Sequence, residues 1–188
     1  MFSYNFIDPE LAEKIENANN KFHEANADVF RLWVSDMVFS WQWWVVVALT
    51  VLPWVFWFIV RRKECSDRLL YAGFITMIMA SYLDMTGMSI GLWSYNIRIF
   101  PMISSCMPWN FTMMPVAAML FYQYKPRMNP IIKAVAFSTI GSFMIEPLFR
   151  WMGIYNPLKW KSYYSFPIYI IIYLIGNRMV KKNRFEKP

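Results

Sequence analysis

One histidine, two cysteines and six glycines are spread over 188 residues. His23 alone cannot assemble a zinc site, so no metal is expected. Cys65 and Cys106 fall on opposite membrane sides in the topology derived below, which excludes an internal disulfide. Charge is also scarce, at 16% of residues. No Walker loop, Rossmann fingerprint or HExxH occurs, so nucleotide chemistry and zinc proteolysis have no motif and no cofactor is expected. The N-terminus lacks a basic patch, apolar core and small-residue cleavage site, so no cleavable signal peptide is expected.

What is abundant is apolar and aromatic. Hydrophobic residues make up 57% of the chain and aromatic ones 20%, with 10 Trp, 11 Tyr, 16 Phe and 15 Met. A soluble domain rarely has this balance, so the expected class is all-α and polytopic in a membrane. The mean hydropathy of only +0.28 reflects Tyr and Trp, which score poorly yet favour the interface, and a polar first forty residues. The net charge of +7 does not point to nucleic acid, because the basic residues sit at the ends of apolar runs rather than on one face.

About 20 helical residues cross a bilayer core of about 30 Å. Five runs qualify: Trp41–Val60, 69–92, 108–124, 131–151 and 163–180. The stretch between the second and third is apolar and broken by Pro101, so a re-entrant segment near 97–107 is an alternative to an ordinary loop. Pro53, Pro115, Pro147 and Pro167 lie inside or near span ends and invite kinks. Twelve basic residues follow spans one, three and five, against four in the other loops. The positive-inside rule then puts the N-terminus outside and the C-terminus in the cytoplasm.

Three regions result: a helix over residues 1–40, a five-span domain over 41–180 and a basic cytoplasmic tail over 181–188. Asp8-Pro9-Glu10 reads as a helix start. Leu11, Ile15, Ala18, Phe22, Ala25, Val29 and Leu32 follow in 4-3 spacing, an amphipathic or coiled-coil-like seam. The helix is expected to pack on its own membrane domain, with self-association or a protein partner through residues 11–36 as the alternative. Seven acids against three basic residues in this region argue against attraction to anionic lipid.

Ionisable residues inside spans are costly and are usually paired or functional. Asp84 and Glu146 lie about 6–8 Å outward of their span midpoints at 1.5 Å per residue. Arg150 stands four residues beyond Glu146, the spacing for a pair along one helix. Asp84 needs Arg98, Arg150, Asn110 or a water, or else becomes neutral. Gln42, Trp93, Tyr95 and Asn110 fall at the same level, with further rings at Trp43, Trp44, Trp109, Trp151, Tyr155, Trp160, Tyr163 and Tyr164. Most of these rings read as an interface belt rather than a ligand cage. Ser104, Ser105 and Cys106 read as loop chemistry rather than nucleophiles.

The candidate site is therefore Asp84, Glu146, Arg150, Asn110, Gln42, Trp93 and Tyr95, as a helix clamp or as an outer-leaflet pocket for a small ligand, lipid or partner protein. The leading expectation is a non-enzymatic membrane protein. Rival readings are a membrane enzyme on a lipid or isoprenoid using paired carboxylates, and a small transporter or channel subunit. Thr50, Ser165 and Asn177 are the only polar residues noted inward in spans one and five, which offers a transporter little path.

Several strings carry a family resemblance. They are Trp41-Gln42-Trp43-Trp44 with Leu52-Pro53-Trp54, Tyr82-Leu83-Asp84 with Gly87, and Gly91-Leu92-Trp93-Ser94-Tyr95. Pro115-Val116, Tyr122-Gln123-Tyr124, Ser142-Phe143, Glu146-Pro147, Gly153-Ile154-Tyr155, Trp160-Lys161 and 164–169 follow in order. Over about residues 41–170 the chain resembles a family of small multi-pass membrane proteins of spore-forming Firmicutes, the bacilli and clostridia. The resemblance implies a bacterial cytoplasmic membrane, with a link to sporulation or the spore membrane, and implies no activity. It places Asp84 and Glu146 at the family's membrane acids. Asn96 stands where the family tends to have Pro, and Asn110 where it often has an acid.

Overall fold

The computed structural model describes residues 7–103 and 105–181; Ser104 and all but the first residue of the basic tail lie outside them. The described chain is mostly helical. In order it forms α1 (Pro9–Leu32), α2 (Trp41–Val60), α3 (Ser66–Ser89), strand β1 (Trp93–Tyr95), α4 (Met114–Gln123), α5 (Pro130–Ile140), α6 (Glu146–Trp151), strand β2 (Tyr155–Pro157) and α7 (Ser162–Val180). Wide π turns over Pro108–Met113 and Gly141–Ile145 lead into α4 and α6. Three helices are long and apolar enough to cross a membrane: Trp41–Val60, Lys63–Ser89 and Pro130–Trp151.

The first expected span coincides with α2. Ser40 caps its start by accepting from the Trp43 amide at 3.2 Å, and Arg61 follows its end, its guanidinium over the Trp57 and Phe58 rings. The second is displaced, because α3 begins at Ser66 and stops at Ser89 rather than running to 92. Gly91 adopts φ +70° and closes the helix, with Leu92 N donating to Gly87 O and Gly91 N to Met88 O. This paired arrangement satisfies the last carbonyls and needs a left-handed residue.

Helices α3, α4, α5–α6 and α7 pack side by side. The buried stripe of α3, Leu69, Ala72, Gly73, Thr76, Ala80, Asp84 and Gly87, follows helical spacing and is mostly small, so α4 and α7 approach closely. The apolar core between them contains Leu69, Met114, Met119, Phe137 and Tyr173, with Trp57 from α2. Lys133 at the start of α5 is buried and donates to the backbone oxygens of Phe121, at 2.8 Å, and Tyr124. A cation on these carbonyls caps the negative end of α4. Helix α2 docks on the Pro108–Met113 turn: Trp54 Nε1 donates to Phe111 O at 3.1 Å and Thr112 Oγ1 to Thr50 O at 3.0 Å.

The N-terminal helix forms, but it has no buried residue. Leu11, Ile15, Phe22 and Leu32 of its seam are all exposed, so the expected packing on the membrane domain is not found. Its hold comes after the helix ends, where Trp33 Nε1 donates to Arg98 O at 2.9 Å. The described residues between β1 and the Pro108–Met113 turn are irregular, and Ser105 and Cys106 fold back into the helices. Ser105 and Cys106 reach the level of Asp84, five residues inside α3, about 7.5 Å at 1.5 Å per residue.

Candidate functional site

Asp84 is buried, and both of its oxygens are engaged. Oδ1 accepts from Trp93 Nε1 at 2.8 Å and Tyr95 OH at 2.6 Å. Oδ2 accepts from Ser105 Oγ at 3.1 Å, Cys106 N at 2.9 Å and Asn110 Nδ2 at 2.6 Å. Asn110 also donates to Ser105 Oγ at 3.0 Å, which uses both amide hydrogens and leaves the serine hydroxyl to donate onward. Five donors from a strand, a loop and a π turn thus converge on one carboxylate. Charge-assisted bonds of this kind are short and among the stronger ones in proteins. No basic residue is needed, and Arg98 instead donates to Pro101 O at 3.3 Å.

Trp93 reaches Asp84 only because residue 87 has no side chain. A Cβ there would lie 2.1 Å from the Trp93 ring. Tyr95, on β1 beyond the end of α3, has its phenol pushed well above the usual value, first by burial and then by the neighbouring Cys106 and Asp84. The neutral hydroxyl is therefore retained as a donor.

Glu146 is held differently. Oε1 accepts from Tyr169 OH at 2.8 Å, and the Ser162 and Ser165 hydroxyls lie nearby. Trp160 Nε1 donates to Ser165 Oγ at 2.8 Å. Oε2 is buried and has no hydrogen-bond partner, a condition that costs about 1–3 kcal/mol or more for a charged group. The expected Glu146–Arg150 pair is not formed. Arg150 is exposed, and the only ion pairs among the described residues are Lys14–Glu10 and Arg31–Asp28, both on α1. A guanidinium at the surface keeps its hydration, whereas burial beside Glu146 would forfeit it.

Both acids line one cavity of about 80 Å³. Asn110, Trp93 and Tyr95 line it as well, so five of the seven residues singled out meet in space. Arg150 and Gln42 do not. Gln42 is on α2, and the Pro108–Met113 turn stands between that helix and the cavity, with Asn110 facing in while Phe111 and Thr112 bond to α2. Trp109, Tyr155 and Trp160, read as belt residues, are cavity walls, with Phe149 and Tyr169 beside them. Ser105 and Cys106, read as loop residues, are Asp84 ligands.

A repeat accounts for this gathering. Gly91 follows Asp84 by seven residues and Trp93 by nine; Gly153 follows Glu146 by seven and Tyr155 by nine. Gly153 has φ +72°, and its amide donates to Arg150 O while Ile154 N donates to Phe149 O. That is the same helix ending as at Gly91. The strands that follow pair antiparallel, Trp93 with Pro157, Ser94 with Asn156 and Tyr95 with Tyr155. Such a register is what a two-fold axis through the Ser94–Asn156 pair produces. The acid–Gly–aromatic spacing was the available sequence signal that Tyr155 belongs with Trp93. Nothing in the sequence announced Ser105, whose role depends on the fold of the preceding loop.

Asn96 and Asn110 each make a bond that depends on the asparagine. Asn96 N donates to Ile154 O at 3.0 Å, a bond that proline could not make. Asn110 supplies an N–H to Asp84, where an acid would bring a second carboxylate against the first. No protein-family model, curated protein or solved structure matches this chain.

Proposed function

We propose that the chain is a five-span bacterial cytoplasmic membrane protein that holds a small ligand, lipid or partner group in the cavity between Asp84 and Glu146, without chemistry of its own. The N-terminus is outside, the C-terminus is cytoplasmic, and the cavity opens in the outer half of the membrane. Support for insertion comes from the three long apolar helices and from the exposed Val51, Leu52, Val55, Phe56 and Ile59 on α2, an apolar face suited to lipid. The shorter 108–123 segment and α7 pack beside these helices and complete the bundle. The basic residues after α2, α4 and α7 set the orientation. The resemblance adds the spore-forming host and the link to its spore membrane.

The observation that carries the binding reading is the convergence of two carboxylates from different helices on one aromatic-walled cavity. Cavities with few convergent polar groups among apolar walls are the usual form of small-molecule sites. Catalysis by paired carboxylates is less well supported, because donors occupy both oxygens of Asp84 and leave no lone pair for a substrate proton. Transport is less well supported because the interior beyond the cavity is the apolar core of Leu69, Met119, Phe137 and Tyr173.

Ala80 lines the cavity and is buried, so Ala80→Phe fills the space while both acids stay in the chain. Purified wild type and A80F are extracted with solvent, and the released small molecules and lipids are identified by mass spectrometry. A species retained by the wild type and lost from an A80F protein of comparable melting temperature supports the reading. Identical extracts overturn it.

A further inference from the structure

The two acids are equivalent in position and unequal in bonding. Asp84 shows what this kind of site looks like when complete, with five donors on two oxygens. Glu146 accepts one hydrogen bond, on Oε1 from Tyr169, with the Ser162 and Ser165 hydroxyls nearby, and its buried Oε2 has no hydrogen-bond partner. A donor is therefore wanting at Oε2, and the cavity that Glu146 lines is where it would enter.

The character of that donor follows from its surroundings. Neither acid takes part in an ion pair among the described residues, and no basic side chain lines the cavity. An anionic ligand would be repelled. A metal ion would find one free carboxylate oxygen, where hard cations take six or more oxygen ligands. The walls are rings: Trp109 lies 5.7 Å from Tyr169 and 6.3 Å from Phe149 between centroids. Aromatic faces carry negative potential and attract ammonium and guanidinium groups. A carboxylate oxygen lacking a donor, set among such faces, selects a cation that also carries N–H.

We propose that the cavity takes the primary ammonium group of an amine, with one N–H on Glu146 Oε2, the rings around the cation, and an apolar stem leaving past Leu83 and Ile168. Both of those residues line the cavity and are incompletely buried. The proposal rests on the ligand-cavity reading above and names its chemical class. The ammonium belongs either to a soluble alkylamine or to an aminophospholipid headgroup; the recognition chemistry is the same.

The test uses the full chain in nonionic detergent at neutral pH and three probes of one length: hexylamine, hexanol and hexanoate. Titration calorimetry is run on wild type, Glu146→Gln and Ala80→Phe, each checked for an unchanged melting transition. Hexylamine is expected to bind wild type at least tenfold more tightly than hexanol, to lose at least tenfold in E146Q, and to be lost in A80F. Hexanoate is expected not to bind. Hexanol binding as tightly as hexylamine, unaffected by E146Q but lost in A80F, overturns the ammonium assignment and leaves the cavity reading standing. Failure of every probe on folded wild type overturns both. Should E146Q not fold, Ile168→Glu serves in its place; a further carboxylate at the wall should strengthen hexylamine binding, and weaker binding overturns the proposal. Repeating the titration in phosphatidylglycerol nanodiscs with and without phosphatidylethanolamine separates the sources. Competition by the aminolipid identifies a headgroup, and indifference to it a soluble amine.

Discussion

Asp84 and Glu146 occupy the same place in two successive helix–turn–strand units, each seven residues before a left-handed glycine, yet Asp84 accepts five hydrogen bonds and Glu146 one. The first carboxylate is a structural centre and the second is open. Their different bonding makes their replacements behave in opposite ways.

Asp84→Asn presents an amide to five donors, so at least one N–H must face another. The loss expected is about 3 kcal/mol, since bonds to a charged acceptor contribute about 1.5–3 kcal/mol each and buried donors left unpaired cost more. Thermal unfolding in detergent should show a clearly lowered midpoint. Trp93→Phe removes one donor and should cost less than half as much. Equal midpoints for wild type and D84N would show that the five contacts do not act together.

Glu146→Gln keeps an oxygen for Tyr169 and replaces only the carboxyl oxygen that has no partner. Its stability is expected to stay within about 1 kcal/mol of wild type. The same unfolding measurement checks it, and a loss as large as that of D84N would mean that Oε2 is satisfied in the native protein.

Gly87→Ala places a methyl group where the Trp93 ring lies, 2.1 Å from its nearest atom. Overpacking at this site should cost about 2 kcal/mol. In a Trp93→Ala background the conflict is gone, and alanine's better helix propensity should make the same replacement neutral or slightly favourable. A double-mutant cycle that shows simple additivity would contradict the contact.

Alkaline stability should depend on Tyr95. Its pKa in the folded protein is raised by burial and by Cys106 and Asp84, so the folded state holds its proton more tightly than the unfolded chain. This contribution is fully present below the ordinary phenol value of about 10 and is lost as pH rises beyond it toward the folded value. Stability measured against pH should therefore fall above about pH 10, and Tyr95→Phe should flatten that fall. An unchanged slope would place the Tyr95 hydroxyl in water.

The helices were readable because apolar length and flanking charge are properties of the chain itself: Arg61 marks the end of α2, and the apolar run read from 131 starts one residue after α5 begins at Pro130. The end of α3 was misplaced by three residues because hydropathy continues through Ile90 and Leu92, whereas the helix ends where Gly91 turns left-handed. Asp84, Glu146, Asn110, Trp93 and Tyr95 could be gathered from depth alone. The Glu146–Arg150 pair could not be judged so, since i,i+4 spacing says that two side chains can meet and nothing about which solvent each prefers. Ser105 and the Cys106 amide were hidden because their contact with Asp84 spans more than twenty residues through an irregular loop. The N-terminal seam shows the opposite limit: its spacing specifies a helix with an apolar face, and the described residues leave that face exposed.

The binding function proposed for the chain requires that the space between Asp84 and Glu146 be occupied. A density map of the purified protein in lipid nanodiscs addresses it most directly. Continuous density between Glu146 and Trp160, within reach of Oε2 and displaced by Ala80→Phe, is the predicted result. A collapsed, empty interior with Arg150 turned inward onto Glu146 would contradict it and reduce the pair of acids to a clamp between helices.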